Sequence, residues 1–243
     1  MKATLKRSAL LFSAFLDEQK DPDRFYHTLA QDSVRQLAGF VPLSNQLVLD
    51  VGGGPGYFSD AFTAAGTRYL GLDPDVGELS ARGEPGANMI RASGSALPVA
   101  SDSVDICYSS NVLEHVDRPQ LMISEMVRVT KPGGTVFVSF TPWYSPWGGH
   151  ETAPWHFLGG DYARRRYLRK HGHEPKNRYG TTLFPLTVGA VLRFARTLPG
   201  TELVRALPRY HPWFATWITR VPVVRELASW NLLMVLRKLP ATD

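Results

Sequence analysis

The chain has very little cysteine: a single residue, Cys107, among 243. One cysteine excludes an internal disulfide framework and any zinc site built from cysteines. Cys107 stands inside an apolar run, so we predict that it is a core residue, as fits a reducing compartment. Long hydrophobic runs are also missing, and no stretch reaches the roughly 20 apolar residues that a membrane-spanning helix needs.

Charged residues make up 20% of the chain and hydrophobic residues 44%, which are the proportions of a globular protein. At 243 residues the chain is long enough to bury a full core, so we predict a single domain, residues 1–243. The net charge is +5, and part of the excess lies in residues 164–178. Exposure to solvent explains such a basic segment, while nucleic acid and anionic lipid are the alternative partners.

The N-terminal segment, residues 1–40, is predicted to form a helical cap. Four apolar residues recur there at helical spacing: Leu5, Ala9, Phe12 and Leu16. We expect this amphipathic face to pack on the domain, with a membrane surface as the alternative. Asp21 and Pro22 then begin a second helix, because proline suits the first helical turn.

The sequence is unusually rich in glycine where the apolar run 47–49 ends and a helix-like segment follows. Strand, glycine turn and helix in this order are typical of a nucleotide-binding crossover, although an ordinary tight turn would also explain the glycines. The dinucleotide fingerprint G-x-G-x-x-G is absent, since Tyr57 or Ser59 takes its third glycine position. The spacing that does occur is D-x-G-x-G-x-G: Asp50, Gly52, Gly54 and Gly56. An acidic residue before the glycines suits a cationic ligand and would repel a pyrophosphate.

This pattern resembles the first motif of the class I S-adenosylmethionine-dependent methyltransferases. Two later segments extend the resemblance to the type 11 group of that family: N-V-L-E-H-V at 111–116 and R-V-T-K-P-G-G at 128–134. The resemblance covers about residues 22–140, with every segment in the family's order. It implies an α/β fold with a doubly wound, seven-stranded, mostly parallel sheet whose seventh strand is antiparallel. It also implies that S-adenosylmethionine is the cofactor.

Apolar segments at the expected places predict the strands after the first one. These segments are residues 68–73, 89–91, 104–108, 135–140, 202–207 and 231–236. Residues 41–140 would then form the cofactor-binding core, and residues 185–243 would complete the sheet.

The resemblance places the cofactor along the carboxyl ends of the first four strands. The methionine part would lie on the glycine loop, the ribose on Asp73, and the adenine beside Ser93, where the family usually has an aspartate. Asp73 as a turn residue and Tyr26 as a packing residue are the structural alternatives. The predicted cofactor-binding residues are Tyr26, Asp50, Gly52, Gly53, Gly54, Gly56, Asp73, Pro74, Ser93, Gly94, Ser95 and Asn111.

Residues 141–184 are rich in aromatic side chains, which argues against disorder. In the resembling fold an insertion at this place covers the acceptor, so we predict an acceptor lid. A histidine with a nearby carboxylate can act as general base for a hydroxyl, although loop histidines are more often structural. The candidate catalytic residues are His115, His150, Glu151 and His156. No metal is predicted, because the segment His171-Gly172-His173-Glu174 matches no zinc motif with a complete ligand set.

These features predict methyl transfer from S-adenosylmethionine to a small-molecule, sugar or lipid-linked acceptor, with oxygen favoured over carbon or nitrogen. A nucleic-acid acceptor is disfavoured, because residues 111–114 read N-V-L-E rather than the N/D-P-P-Y/F that grips an exocyclic amine. The alternative is a non-catalytic S-adenosylmethionine-binding protein that acts through a partner at the membrane surface.

Residues 209–229 are relevant to the alternative of a protein that acts at the membrane surface. Their tryptophans stand beside Arg209, Arg220 and Arg225, which suits an interfacial segment, while packing over the edge of the core is the other interpretation. We expect a cytoplasmic protein, with peripheral contact at the inner membrane face as the alternative. The sequence does not indicate an oligomeric state.

Overall fold

In the computed structural model, which describes residues 3–17 and 20–240, seven strands form one sheet flanked by helices. The strands are β1 (Leu47–Val51), β2 (Arg68–Asp73), β3 (Met89–Arg91), β4 (Val104–Ser110), β5 (Thr130–Phe140), β6 (Thr201–Pro208) and β7 (Leu232–Lys238). The α-helices are α1 (Leu5–Leu16), α2 (Pro22–Leu37), α3 (Ser59–Ala64), α4 (Val76–Leu79), α5 (Pro119–Val129), α6 (Gly160–His171), α7 (Val188–Thr197) and α8 (Val224–Ala228). Within the described ranges, no helix combines the length and hydropathy needed to cross a membrane.

The sheet has the strand order β3-β2-β1-β4-β5-β7-β6, and β7 is antiparallel to both of its neighbours. The predicted α/β fold with a seven-stranded, mostly parallel sheet is thereby confirmed. β2 lies on one side of β1 and β4 on the other, so the chain changes direction across the sheet at β1. At such a switch point the loops diverge and leave a crevice at the carboxyl ends of the strands. The loops after β1 and β4 meet there, where Gly52 lies against Val112.

Both faces of the sheet carry a hydrophobic core, because the central strands are apolar on both sides. On one face, α2 and α3 pack Leu29 and Phe62 against the sheet. On the other face, α5 and α7 contribute Met122 and Leu192. Burial of each such side chain contributes roughly 1.5–3 kcal/mol to the stability of the fold. The loops at the edge of the sheet are therefore attached to a well-packed core.

Strand β5 begins at Thr130 rather than at the predicted Thr135, because the K-P-G-G turn bulges out of the strand instead of preceding it. Val104 pairs with Thr130 and Ile106 pairs with Thr135, so the residues between them leave the ladder. Gly133 adopts a φ of +80° in this bulge, a conformation that glycine reaches without strain.

The N-terminal cap consists of two helices, as predicted, but α1 packs through a different face. Its buried residues are Leu11 and Ala14. The predicted face is exposed instead: Leu5, Ala9, Phe12 and Leu16. Arg7 decides the orientation, because its guanidinium donates to both carboxylate oxygens of Asp32 in α2 at 2.7 and 2.6 Å.

The aromatic segment after β6 divides between core and surface. Arg209 is fully buried, and its guanidinium donates to the hydroxyl groups of Ser33, Ser110, Ser139 and Tyr108. The interfacial interpretation of Arg209 is therefore wrong. In the 3₁₀ segment that follows, three large aromatic side chains are each more than half exposed: Trp213, Phe214 and Trp217.

Residues 141–184, the predicted lid, contain two short 3₁₀ segments and α6. The amide of Trp143 donates a 2.8 Å hydrogen bond to the carbonyl of Leu186, which joins the two ends of the insertion. Farther out, Lys176 Nζ lies 2.9 Å from Glu78 Oε1 on α4. The insertion thus spans the crevice from the end of β5 to the helix that follows β2.

Candidate active site

The glycine loop begins where β1 ends and turns back toward β2. The amides of Gly52 and Gly53 donate to the carbonyl of Leu72 at 2.8 and 3.0 Å. Gly52 has a φ of +82°, and a Cβ there would lie 2.4 Å from a methyl carbon of Val112. A Cβ on Gly54 would meet no atom within 4 Å. The loop therefore presents bare backbone and open space at Gly54.

Asp73 ends β2 beside this loop, as predicted. Its Oδ2 accepts from the amide of Gly54 at 3.2 Å, and its Oδ1 accepts from the amide of Asp75 at 2.9 Å. Burial raises the pKa of the carboxyl, and the two amide hydrogen bonds oppose that rise. Each oxygen keeps a further lone pair, which is what two ribose hydroxyls would require.

Asp50 lies one layer below the loop. It is 2% exposed and accepts a 2.8 Å hydrogen bond from the hydroxyl of Tyr69. Burial raises the pKa of Asp50 to about 7; the Tyr69 hydrogen bond lowers it, and the charge of Asp73 adds to the rise. Asp50 is not among the residues that line the cavity above it.

A cavity of about 320 Å³ opens at the carboxyl ends of the central strands. The predicted site residues that line it are Gly52, Pro74, Ser93, Gly94, Ser95 and His115. Residues that were not among the predicted site residues complete its wall: Val51, Val112, Val116, Asp117, Met122, Thr181 and Phe184. Ser93 Oγ accepts from the amide of Ser95 at 3.2 Å, so this side chain shapes the turn that faces the cavity.

Two other predicted cofactor residues, Tyr26 and Asn111, make contacts that link distant parts of the chain. Tyr26 of α2 stacks on Tyr57, just after the glycine loop, with ring centroids 4.7 Å apart. Asn111, at a φ of +58°, accepts a 2.7 Å hydrogen bond from Nδ2 of Asn231. Its own Nδ2 lies 3.4 Å from the hydroxyl of Tyr210. These contacts bring the N-terminal cap and the segments around β6 and β7 to the crevice.

His115 follows β4 and lines the cavity. Its Nδ1 lies 2.7 Å from the carbonyl oxygen of Thr182 in the lid. Because a carbonyl oxygen only accepts, Nδ1 carries the hydrogen and Nε2 keeps a lone pair. The rings of His115 and His150 are 5.0 Å apart between centroids. Glu114, His115 and His150 each offer one nitrogen or oxygen atom of the kind that binds metal ions. These three atoms all lie within 4.8 Å of one another.

Beside His115, Glu114 is buried and His150 is half-buried. Glu114 is 1% exposed; its Oε1 accepts from the amide of Thr141 at 2.9 Å, and its Oε2 has no partner among the described residues. Burial raises the pKa of Glu114, and the charge of His115 opposes the rise. Burial, with repulsion from His115 and His156, lowers the pKa of His150 to about 3. The imidazole of His150 is therefore neutral at neutral pH.

The predicted pairing of His150 with Glu151 does not occur. Glu151 is exposed and accepts a hydrogen bond from another lid residue. The carboxylate beside His150 is Glu114, whose only signal in the sequence was its place in N-V-L-E-H-V. His156 also lies apart from the cavity: it is buried within the lid, with Nε2 3.1 Å from the carbonyl of Ser145.

Comparisons with known proteins agree with this architecture. A family model described as a methyltransferase domain, of type 11, matches residues 49–138. A protein from Mycobacteroides abscessus described as an uncharacterized methyltransferase is 53% identical, over 97% of this chain and 95% of its own length. This chain belongs to the class I S-adenosylmethionine-dependent methyltransferases of type 11. An uncharacterized methyltransferase of Mycobacterium tuberculosis, 50% identical over 97% of this chain and 96% of its own, is a similar relative.

Solved structures share the fold of this methyltransferase. An S-adenosylmethionine-dependent methyltransferase from Mesorhizobium loti aligns with 85% of this chain and 96% of its own, at a TM-score of 0.53 and 21% identity. The [4+2]-cyclase SpnF aligns with 87% of this chain and 82% of its own, at a TM-score of 0.53 and 16% identity. At these identities the likeness establishes the fold alone, and the reaction must be argued from the site.

S-adenosylmethionine is the cofactor of this methyltransferase, and the crevice fits it. Gly54 and Gly56 hold φ angles of +51° and +82°, so the loop exposes its amides where side chains would obstruct a ligand. Asp73 stands beside them with free lone pairs, and Ser93–Ser95 close the far end of the cavity. The relatives and the family model favour an enzyme over the non-catalytic alternative.

Proposed function

We propose that this methyltransferase methylates a hydroxyl oxygen of a small-molecule, sugar or lipid-linked acceptor. The observation that carries the proposal is the imidazole of His115, which lines the cavity and is oriented by the Thr182 carbonyl. In its neutral form this imidazole has a lone pair on Nε2 that is able to take a proton, and a hydroxyl must lose a proton when its oxygen is methylated. The oxygen forms a bond to the methyl carbon, the carbon–sulfur bond breaks with its electron pair on sulfur, and the hydroxyl proton passes to Nε2.

The cofactor supplies a methyl group on a positively charged sulfur, and the residues of the chain position it. In our proposal the backbone of Gly52–Gly56 and the charge of Asp50 hold the methionine part. Asp73 accepts from the ribose hydroxyls, and Ser93–Ser95 contact the adenine. Tyr26 and Asn111 close the site from the cap and from the loop after β4. The placement of these residues around one crevice supports these roles.

The acceptor, in the same proposal, lies beneath residues 141–184. Thr181 and Phe184 of this lid line the cavity, together with Val112 and Val116 of the loop after β4. The apolar side chains of Phe184, Val112 and Val116, together with an oriented imidazole, suit an acceptor that has an apolar part next to its hydroxyl. Positioning of that hydroxyl supplies much of the rate, since the sulfur is already a good leaving group.

The test is transfer of an isotopically labelled methyl group to candidate sugars, glycolipids and hydroxylated small molecules, with the methylated atom identified by NMR. We expect a methyl ether, and we expect His115→Ala to lower kcat by on the order of 10²–10⁴-fold while calorimetric binding of S-adenosylmethionine persists. His173→Ala is the matched control, because His173 is an exposed lid histidine that does not line the cavity. A product methylated on nitrogen or carbon would contradict the proposal, as would full activity of His115→Ala.

The surface of the protein favours an acceptor that is presented at a membrane. The amide of Trp213 donates to the carbonyl of Ala3 at 2.7 Å, so the exposed face of α1 adjoins the exposed aromatic segment. We define the aromatic surface as Leu5, Leu16, Trp213, Phe214 and Trp217, each more than half exposed. A hollow of about 270 Å³ next to this surface is lined by three exposed arginines: Arg196, Arg205 and Arg220. Tryptophans beside arginines suit the interface of a membrane that contains anionic lipid.

Sedimentation with vesicles tests this membrane contact. We expect binding to phosphatidylglycerol vesicles that exceeds binding to phosphatidylcholine vesicles, and a loss of roughly fivefold for each arginine replaced by glutamine. The double variant Trp213→Ala, Trp217→Ala is expected to sediment much less. Trp155→Ala is its control, because Trp155 is an exposed tryptophan of the lid, 40% accessible. Equal sedimentation of all these variants would reject the aromatic surface as the contact.

A further inference from the structure

We propose that Glu114, His115 and His150 bind one divalent transition-metal ion at the wall of the cavity. Each residue offers a ligand atom within 4.8 Å of the other two. Two histidines and one carboxylate form a ligand set that proteins use for Zn²⁺ and for Fe²⁺. The three residues come from the loop after β4 and from the lid, so they meet only in the folded chain.

Two buried atoms in this cluster lack the partner that their burial requires. Oε2 of Glu114 and Nε2 of His150 form no hydrogen bond within the described part of the chain, although both are shielded from water. A buried polar atom left without a partner is destabilising. A cation placed between the three residues would satisfy both atoms at once.

The surroundings of the cluster resemble the outer shell of a metal site. A metal-bound histidine usually donates its other ring N–H to a carbonyl or carboxylate, which orients the ring. His115 has this arrangement, because its Nδ1 lies 2.7 Å from the Thr182 carbonyl and its Nε2 is left for an ion. Glu114 is held in the same manner by the Thr141 amide, which donates to Oε1 and leaves Oε2 available.

The three ligand atoms would have to move closer together to hold an ion. With bonds of about 2.1 Å, two ligand atoms at tetrahedral positions around an ion are about 3.4 Å apart. The ligand atoms here lie within 4.8 Å of one another, so they would have to approach by up to about 1.4 Å, which rotation of the three side chains would supply.

The chemical role of the ion, though not its binding, rests on the proposed methylation of a hydroxyl. His115 lines the cavity, so an ion bound to it would have an open position on the acceptor side. There it would lower the pKa of the acceptor hydroxyl. With an ion bound, Nε2 of His115 would be a ligand and not the base, so the hydroxyl proton would pass to water at the cavity mouth; without an ion, Nε2 would accept the proton as proposed above.

Metal binding can be tested without any acceptor. Chelator-stripped protein is titrated with Co²⁺ and Zn²⁺ by calorimetry and by the visible absorption of Co²⁺, in the wild type and in Glu114→Gln and His150→Phe. Gln keeps the oxygen that accepts from Thr141, and Phe keeps an aromatic ring but offers no ligand atom. Asn177, whose Nδ2 lies 3.5 Å from Nδ1 of His150, keeps its hydrogen bond to Glu151 in the Phe variant. We expect one ion per chain in the wild type and affinity lower by on the order of 100-fold or more in each variant. The control, His171→Ala with His173→Ala, removes the other histidine pair of the lid and is expected to bind within about twofold of the wild type.

Two results would overturn the proposal. One is a wild-type protein that binds S-adenosylmethionine but neither metal ion; the other is metal binding that disappears in the His171, His173 variant and persists in His150→Phe. Circular dichroism of each variant establishes that it folds. A failure to methylate hydroxyls would leave the metal titration unchanged, so the two proposals fail separately.

Discussion

The hydroxyl of Tyr69 donates a 2.8 Å hydrogen bond to Oδ2 of Asp50, and the pair is buried beneath the glycine loop. Burial outweighs this hydrogen bond, and the pKa of Asp50 rises to about 7. A carboxyl group that changes charge near neutral pH therefore lies under the loop that faces the cofactor. Its protonation links the stability of the fold to pH.

Asp50→Asn should remove this pH dependence. The pKa of Asp50 is higher in the folded state, at about 7, than its ordinary value of 3.8, so the folded chain binds the proton more tightly. The stabilisation is full below about pH 4 and is lost as the pH rises to about 7. Between about pH 5 and 7 we expect the free energy of unfolding of the wild type to fall, relative to Asp50→Asn, by roughly 2–3 kcal/mol. Urea denaturation across this range measures it, and parallel curves for the two proteins would disprove the assignment.

Tyr69→Phe should shift the pH range over which the fold loses stability toward higher pH. The hydroxyl of Tyr69 lowers the pKa of Asp50, so its removal raises that pKa further. We expect the pH range over which stability declines to extend to higher pH than in the wild type. The same denaturation series checks this, and a shift toward lower pH would contradict it.

Gly52→Ala should mainly lower the stability of the fold, whereas Gly54→Ala should mainly impair cofactor binding. Gly52→Ala places a methyl group 2.4 Å from Val112 at a φ of +82°, so we expect a loss of about 2–3 kcal/mol in stability. Gly54→Ala has open space around its Cβ, and we expect a loss of only about 1–2 kcal/mol from its positive φ. Its methyl group should nevertheless obstruct S-adenosylmethionine. Thermal unfolding and calorimetry distinguish the two effects, and unimpaired binding by Gly54→Ala would argue against a ligand at this loop.

Asp73→Ala should abolish most of the affinity for S-adenosylmethionine. It removes the acceptor of the proposed ribose hydrogen bonds and leaves the amide of Gly54 without its carboxylate. Since hydrogen bonds to a charged group contribute about 1.5–3 kcal/mol each, we expect a loss on the order of 100-fold in Kd. The neighbouring control is Asp75→Ala, which removes the N-terminal cap of α4 and should leave binding nearly intact. Calorimetric titration compares them; equal Kd values would show that Asp73 does not contact the cofactor.

Arg209→Ala should destabilise the fold far more than Arg205→Ala. Arg209 is fully buried and donates to side chains on α2, β4 and β5, so its loss leaves a cavity and unpaired hydroxyl groups. We expect a loss of about 3 kcal/mol or more. Arg205 is exposed on β6, and its replacement should change stability by about 0.5 kcal/mol or less. Denaturant unfolding gives both values, and similar losses would refute the structural role of Arg209.

The sheet could be predicted closely because its signals are local. The apolar runs of β2 and β3 are bounded by turn residues, and their predicted limits match the structure. The fold also brings the motif residues Gly52, Ser93 and His115 to one cavity, while their roles in binding and catalysis stay predictions. Each of these predictions depended on residues that are neighbours in the chain.

Features that depend on distant contacts could not be predicted in the same way. Glu151 was paired with His150 by adjacency, whereas the fold brings Glu114 to it instead. The buried face of α1 depends on contacts with distant parts of the chain, such as the ion pair between Arg7 and Asp32 and the packing of Phe15 on Trp147. The hydroxyl groups that accept hydrogen bonds from the Arg209 guanidinium lie on three separate elements, so no local sequence pattern predicts them.

The hydrogen bond between the Trp143 amide and the Leu186 carbonyl has a consequence for how this enzyme diverges from its relatives. It makes residues 143–186 an insertion whose first and last residues are hydrogen-bonded to each other beside the sheet. An insertion of this kind can be lengthened, shortened or exchanged while the strands next to the cofactor site keep their register. Acceptor choice and methyl-donor binding can then change independently, and chimaeras that join at this point should inherit the donor from one parent and the acceptor from the other.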